Sequence, residues 1–306
     1  SEMCIRDRIY LFVLDWRLAL LSLAVFPIAF VFMMTVMGNY AKDYEGAVKA
    51  TGEMSSTMIE YINGIEVIKA FNQGKIHIEE PGIGEIIKKA VEKGVYSAST
   101  TPVKADAFII TVPTPYVAEN YTCDLSYVIS ACESILPYLE KGNTVIVEST
   151  IAPMSMDDYV KPIFEKAGYT IGKDLYLAHC PERVLPGKIM YELVHNDRIV
   201  GGITPECSIK ASEVYGQFVE GALMKTEAKT AELSKCMENT FRDVNIALAN
   251  ELAKICTKIG VNALDVIEMA NKHPRVNIHS PGPGVGGHCL ATVSYTHLTL
   301  PTNSLV

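Results

Sequence analysis

Ala107-Phe108-Ile109-Ile110-Thr111-Val112-Pro113-Thr114-Pro115 is the stretch that decides the fold. Its first six residues are apolar or β-branched and suit a buried parallel strand, and the prolines end it by removing amide donors. Downstream the same plan repeats. Asp124 can cap a helix running to about Leu139, with Leu125, Val128, Ile129, Cys132 and Ile135 on one face. Thr144-Val145-Ile146-Val147 reads as the next strand and delivers Glu148-Ser149-Thr150 at its end. A helix near Asp157 to Ala167 leads to the strand Leu175-Tyr176-Leu177-Ala178, which ends in His179-Cys180-Pro181-Glu182-Arg183. Ile199-Val200 then runs into Gly201-Gly202, and a helix covers about Pro205 to Phe218. Alternating strands and helices predict an α/β fold with a Rossmann-like, doubly wound sheet.

In such sheets ligands bind beyond the carboxyl ends of the strands. Pro113-Thr114-Pro115, Glu148-Ser149-Thr150 and Pro181-Glu182-Arg183 all fall there. Three polar clusters in succession favour a site over ordinary loop chemistry.

After the sheet, a long helix is expected from about Ala228 to Ile259. Leu233, Met237, Phe241, Val244, Leu248, Leu252 and Ile255 step by three and four along one face, which is core or a seam within or between chains. Lys235, Asn239 and Arg242 form a second row, either a solvated stripe or a polar row aimed at an anionic ligand. Beyond it, Pro281-Gly282-Pro283-Gly284-Val285-Gly286-Gly287-His288-Cys289 describes a fixed loop with a thiol at its end. Cys289 is a candidate nucleophile, with a small buried cysteine beside a turn as the equal alternative. Gly282, Gly284 and Gly287 satisfy G-x-G-x-x-G, but they follow the polar run Asn271-Lys272-His273-Pro274-Arg275 rather than a strand, so the dinucleotide reading is rejected.

A net charge of -8 argues against nucleic acid as a partner, because phosphates require a basic face. The eight cysteines form no C-x-x-C and no zinc spacing, which suits reduced cytoplasmic thiols and no metal. The first quarter of the chain differs from the rest. From Leu18 to Met37 run twenty uncharged residues, long enough to span a bilayer, flanked by Trp16 and Arg17 as interfacial anchors. Met54, Met58, Tyr61, Ile65 and Ile68 continue as an amphipathic stripe.

Several motifs then combine. They are Val112-Pro113-Thr114-Pro115, Glu148-Ser149-Thr150, Cys180-Pro181-Glu182-Arg183-Val184-Leu185-Pro186-Gly187, Glu238-Asn239-Thr240-Phe241-Arg242-Asp243-Val244-Asn245, His273-Pro274-Arg275-Val276-Asn277 and the glycine loop. With them, residues from about 76 to 291 resemble the UDP-glucose/GDP-mannose dehydrogenase family, in particular its N-acetylhexosamine branch. The resemblance implies an NAD-dependent enzyme that oxidises C6 of a UDP-N-acetylhexosamine to a carboxylate in two hydride transfers. UDP-N-acetyl-D-mannosamine is the substrate implied first, with UDP-N-acetylglucosamine or UDP-glucose as alternatives. It makes Cys289 the nucleophile that carries a thiohemiacetal and then a thioester, and Lys235 the general acid–base. Asn239 would share the oxyanion, and Glu182 would assist thioester hydrolysis. Arg183, Val184, Arg242, His273, Arg275 and Gly286 match positions that contact the UDP-sugar. Thr114 and Thr150 match threonines on the nicotinamide side. A homodimer or higher homo-oligomer is expected.

The pattern also departs from the family. Its opening strand with a true G-x-G-x-x-G is missing, and Val293 stands where an aspartate follows the cysteine. Residues 9–75 instead resemble a membrane helix and its extension from an ABC exporter, through Asp15-Trp16-Arg17-Leu18-Ala19-Leu20 and Glu60-Tyr61-Ile62-Asn63-Gly64-Ile65-Glu66-Val67-Ile68-Lys69-Ala70-Phe71. Residues 1–8 and 292–306 resemble translated adapter sequence. The expected division is therefore 1–8 artefact, 9–75 membrane-type segment, 76–226 the later part of an NAD-binding domain, 227–291 a central helical domain, and 292–306 artefact. On this reading the chain is a truncated, inactive chimera with an incomplete sheet, and it meets a membrane only if the first segment is genuine.

Overall fold

The computed structural model describes residues 15–17, 27, 30, 32–34, 67–75, 80–117, 122–185 and 187–283. The chain divides into two units, residues 1–73 and 74–306. In the first, residues 16–17, 27, 30, 32–34 and 67–72 are helical. Most of the apolar run at 18–37, the stripe from Met54 to Ile65 and both terminal segments lie outside the described residues. No helix of the described residues is long and apolar enough to cross a membrane.

In the second unit the β-branched runs become strands. After helix α1 (Ile83–Glu92), β1 (Ala107–Ile110) pairs in parallel with β4 (Thr144–Val147), and β4 pairs in parallel with β5 (Tyr176–His179). A small hairpin of β2 (Tyr116–Val117) and β3 (Thr122–Cys123) lies between β1 and β4 in the chain. All four residues of β4 are buried, as befits the strand with neighbours on both edges. Val145 and Val147 face one cluster with Val128, Cys132, Met156, Val160, Phe164 and Leu177. Ile146 faces the other, with Ala178, Val200, Ala211 and Tyr215. Residues i and i+2 share a face, so one strand feeds both layers. Each burial of such a side chain contributes on the order of 1.5–3 kcal/mol.

β1 is less buried than its apolar run suggests. Ile109 is 44% exposed, and no strand pairs with the outer edge of β1 among the described residues.

The helices arise near the expected places with corrected ends. Helix α2 (Ser126–Ile135) gives way to a 3-10 turn at Leu136–Tyr138, where Pro137 lacks a donor. Asp124 Oδ1 accepts from Ser126 N at 2.8 Å, just before the helix. The helix expected at 157–167 starts with a π-turn, Met156–Val160, and continues as α3 (Lys161–Lys166). Helix α4 is Ile189–His195 and helix α5 is Pro205–Tyr215, the latter capped by Thr204 Oγ1, which accepts from Cys207 N.

One pairing departs from a purely parallel sheet. β6 (Arg198–Gly202) is antiparallel to β5, and it pairs in parallel with β7 (Leu223–Glu227), giving the order β1-β4-β5-β6-β7. β7 carries Lys225 and Thr226 in a short polar run that no apolar pattern announces.

Helix α6 (Ala228–Ile259) then runs for 32 residues, about 48 Å at 1.5 Å per residue. It crosses β6 at Gly201, where an added Cβ would lie 2.6 Å from Ala231 Cβ and 2.9 Å from Ala228 Cα. Only glycine permits that approach. The helix buries Ala228, Ala231, Glu232, Cys236, Asn239 and Thr240. The apolar row, expected as core or as a seam within or between chains, is not core here: Leu233, Met237, Phe241, Val244, Leu248 and Ile255 are all 47–60% accessible. Next to Gly201 the buried face is alanine because the backbones approach too closely for anything larger, whereas Glu232 finds room further from that contact. The short helix α7 (Ala263–Ala270) follows, capped by Asn262 Oδ1, which accepts from Leu264 N at 3.1 Å.

Candidate active site

The carboxyl ends of β1, β4 and β5 deliver Thr114, Thr150 and Glu182 from three loops, and α6 passes over them. Thr114 Oγ1 donates to Thr150 O at 2.8 Å, and Ser149 Oγ donates to Val112 O at 2.7 Å. These bonds fasten the β1 and β4 ends side by side. From α6, Lys235 Nζ donates to the carbonyl of Glu182 at 2.6 Å. Asn239, one turn further, is buried at 8% exposure. The expected row of Lys235 and Asn239 therefore faces the strand ends rather than solvent.

Glu182 is held closely. Its Oε1 accepts from Arg183 N at 2.6 Å and Val184 N at 3.0 Å, and its Oε2 accepts from Arg198 Nη2 at 3.1 Å. Arg183 forms an ion pair with Glu238 of α6 at 2.7 Å. The loop after it is fixed by Glu80, which is 8% exposed and accepts from Gly187 N at 2.8 Å and Ile189 N at 2.9 Å.

The remaining expected residues are elsewhere or not described. Arg242 is exposed on α6, and His273 and Arg275 are exposed in the turn after α7, where His273 Nδ1 accepts from Arg275 N at 3.3 Å. Among the described residues no hydrogen bond or ion pair ties these three to Lys235 or Glu182. Gly286 and Cys289 lie outside the described residues. The segment leading to their loop is pinned along α6. Asn245 Nδ2 donates to Asn277 O at 2.9 Å, and Asn245 Oδ1 and Asn250 Oδ1 accept from His279 N and Gly282 N at 3.0 and 2.8 Å. Phe241 meets the His279 ring edge to face at 6.1 Å. No strand precedes Gly282 in residues 271–283, in keeping with the rejected dinucleotide motif.

Sequence reasoning missed Arg198 and Tyr215 as parts of this region; it placed Glu148 in a strand-end cluster and His179 at the end of its strand, with no role for either. Arg198 Nη1 lies 3.3 Å from Glu148 Oε1, and Tyr215 OH donates to the same oxygen at 2.5 Å. Burial pushes the Glu148 carboxyl above the usual range, and the Tyr215 and Arg198 bonds only partly offset it. His179 is fully buried with Nδ1 2.8 Å from Val147 O. A carbonyl can only accept, so Nδ1 carries the proton, and Nε2 has no hydrogen-bond partner among the described residues. Burial lowers its pKa to about 4, so it is a neutral imidazole at pH 7.

Four of the described thiols are poor nucleophiles. Burial raises Cys123 to about 11 and Cys132 and Cys236 to about 12, and raises Cys180 further. A cavity of about 740 Å³ between the starts of α5 and α6, lined by Thr204, Ser208, Lys225 and Thr230, includes none of the site residues. It lies at the far end of β6 from Arg198.

What the arrangement offers is a primary amine bonded to the main chain of a glutamate whose carboxylate is itself held, in the loop after β5, and two threonines bonded together in the loops after β1 and β4. The model of the NAD-binding domain of the UDP-glucose/GDP-mannose dehydrogenase family matches residues 49–219, and that of the family's central domain matches residues 229–299. The chain belongs to this family. The UDP-glucose/GDP-mannose dehydrogenase match begins within the stretch read as exporter-like and ends within the stretch read as a terminal artefact. Among relatives of the family, UDP-N-acetyl-D-mannosamine dehydrogenase of Methanococcus maripaludis is 53% identical over 227 residues, covering 73% of this chain and 51% of the relative. The enzyme of that name from Escherichia coli K12 is 50% identical over 231 residues, covering 73% and 55%. The chain thus spans about half the length of these relatives. Among solved structures, UDP-N-acetyl-mannosamine dehydrogenase from Staphylococcus aureus superposes with a TM-score of 0.70 at 61% identity, over 74% of this chain and 55% of that one. The Pyrococcus horikoshii enzyme superposes with 0.72 at 43% identity, over 79% and 57%.

The NAD that this domain family takes calls for a ligand site beyond the carboxyl ends of parallel strands, and residues are present there to line one. Thr114 and Thr150 stand bonded together at the ends of adjacent parallel strands, where such sheets receive ligands. The described residues hold no glycine-rich strand-to-helix turn for the pyrophosphate.

Proposed function

We propose that this chain carries the nicotinamide-side and acid-forming machinery of an NAD-dependent UDP-N-acetyl-D-mannosamine 6-dehydrogenase. The observation that supports it most is Lys235, whose ammonium is held 2.6 Å from the Glu182 carbonyl above the strand ends. Thr114 and Thr150 would bound the nicotinamide side of NAD, which would supply the hydride acceptor when bound. Lys235 acts as general acid–base at the C6 hydroxyl and donates to the developing alkoxide in place of the carbonyl it now holds. Asn239 lies one turn away to share that charge. The Cys289 thiol takes the aldehyde as a thiohemiacetal, and Glu182 receives the proton of the water that later releases the acid. Arg183, Val184, Arg242, His273, Arg275 and Gly286 are assigned to the UDP-sugar. Arg183 must trade Glu238 for substrate, an exchange of one charge-assisted bond for another.

A homodimer or higher homo-oligomer completes this reading. The exposed row from Leu233 to Ile255 on α6 is the surface it assigns to a second copy. The six described cysteines are all free thiols, in keeping with a reducing compartment.

The test is to offer the purified chain UDP-N-acetyl-D-mannosamine, UDP-N-acetylglucosamine and UDP-glucose with NAD, and to follow NADH and acid together. Two NADH per acid with the mannosamine substrate, lost in Cys289→Ser, is the expected result. Acid formation by the Cys289→Ser chain overturns the assignment, and a preference for another UDP-sugar overturns the substrate.

A further inference from the structure

Arg198 opens β6 with its side chain only 6% exposed. Its guanidinium spans two carboxylates, Glu148 at 3.3 Å and Glu182 at 3.1 Å. The Tyr215 ring packs against it at 4.8 Å and the Phe218 ring at 6.0 Å. Buried cations on aromatic faces and between acids have few alternative poses, and arginine's planar fork has fewer than lysine's.

We infer that Arg198 is a positioning residue for Glu182, fixing the rotation of its carboxylate so that one acceptor site remains for a proton taken from water. A carboxylate offers about four lone-pair sites. The Arg183 and Val184 amides occupy Oε1, and Arg198 occupies one site of Oε2. Glu148 is the counterweight that keeps the guanidinium in place. It is the more deeply buried acid, with side chain 14% exposed against 34% for Glu182. It is also anchored by the Tyr215 hydroxyl. Lys235 and Glu238 bound the same turn from α6, through the Glu182 carbonyl and through Arg183.

The inference rests on the role given above to Glu182. In that step the water oxygen bonds to the thioester carbon, the carbon–sulfur bond breaks, and Cys289 leaves as thiolate. The water proton goes to Glu182. A carboxylate free to rotate would meet that proton in only a fraction of its poses.

The experiment compares the full chain with Arg198→Lys, which keeps the charge, and Glu182→Gln. The double variant Arg198→Met/Glu148→Gln removes the cation together with one buried acid, and it carries the same readouts if Arg198→Lys fails to fold. Two readouts are taken. The amide resonances of Arg183 and Val184 report the Glu182 carboxylate directly and need no turnover. Acid formation is followed with intact-mass detection of a thioester adduct on the protein. The expected result for Arg198→Lys is displaced Arg183 and Val184 amides, an unchanged KM for the UDP-sugar and an accumulating adduct. Its kcat should fall by about 10- to 100-fold, part of the roughly 10²–10⁴ a positioned base contributes. Unmoved amides with wild-type kcat overturn the proposal. If Glu182→Gln is blocked while Arg198→Lys is not, only the Arg198 role falls. If Glu182→Gln forms acid at the wild-type rate, the role of Glu182 falls and this one with it.

Discussion

The two halves of helix α6 share an exposed apolar row, which begins at Leu233 and Met237, but they bury different amounts of polar side chain, and the sheet beneath the first half explains the difference. From Ala228 to Thr240 the buried positions are alanine, cysteine, threonine, asparagine and one glutamate. From Phe241 onward Phe241, Val244, Leu248, Ile255 and Ile259 are 55–67% exposed. The first half lies on Gly201, where backbones come too close for large side chains. The second half carries its large apolar residues outward and buries only the small Ala249 and Cys256. Hydropathy alone inverts the two faces; the distance between backbones sorts them.

Breaking the close approach should cost most. Gly201→Val places side-chain atoms where Ala231 Cβ and the Ala228 backbone stand, and overpacking of this kind costs about 3 kcal/mol or more. Denaturant unfolding should show it, and a variant within experimental error of wild type would mean the helix can lift from the strand.

The buried acid of the first half offers a second test through pH. Glu232 accepts from Met154 N and Met156 N at 2.7 and 2.8 Å, yet burial raises its pKa to about 7. Its folded pKa lies above the unfolded value near 4.5, so the folded state keeps a proton the unfolded state has lost. Its contribution therefore falls as pH rises from about 4.5 to about 7. His179 acts oppositely. Its folded pKa near 4 lies below the unfolded 6.5, so stability is lost as pH falls through that window. The two effects oppose each other between about pH 4.5 and 6.5, each on the order of 1–3 kcal/mol. Glu232→Gln should therefore reveal a steeper acid loss, and His179→Gln a loss toward neutral pH. Parallel stability curves for wild type and both variants would refute this opposition.

In the second half, Asn245→Ala removes both bonds to the 277–279 segment and should cost about 1 kcal/mol. Hydrogen exchange at His279 should accelerate; an unchanged rate would mean another contact holds the segment. The smallest effect on the fold is expected from Phe241→Asp, within about 0.5 kcal/mol for the single chain because the site is exposed. Sedimentation should nevertheless show loss of self-association, and an intact oligomer would move the proposed seam off α6.

Much of the sheet was legible in the sequence because β4 and β5 are short apolar runs ended by polar clusters. Lys235 and Asn239 were legible as a pair four residues apart, although only the structure tells which way they face. Arg198 was not. Nothing local marks one arginine at the start of a strand, and its acidic partners are 50 and 16 residues away. β7 escaped for a related reason, since Leu223–Glu227 is stabilised by pairing with β6 rather than by a buried apolar face. The exposed row of α6 was read correctly as a pattern but assigned to a core in part, because periodicity shows that a face exists and not what covers it.

The Glu80 carboxylate joins residues 107 and 109 positions apart when it accepts from Gly187 and Ile189. A closure of that span forms late on the way to the native state, since distant contacts are gained only after much chain entropy is lost. The loop that carries Arg183 and Val184 should therefore mature after the sheet beneath it. Substitution at Glu80 would show itself as a slow or missing final phase of refolding, while the strands still assemble at their usual rate.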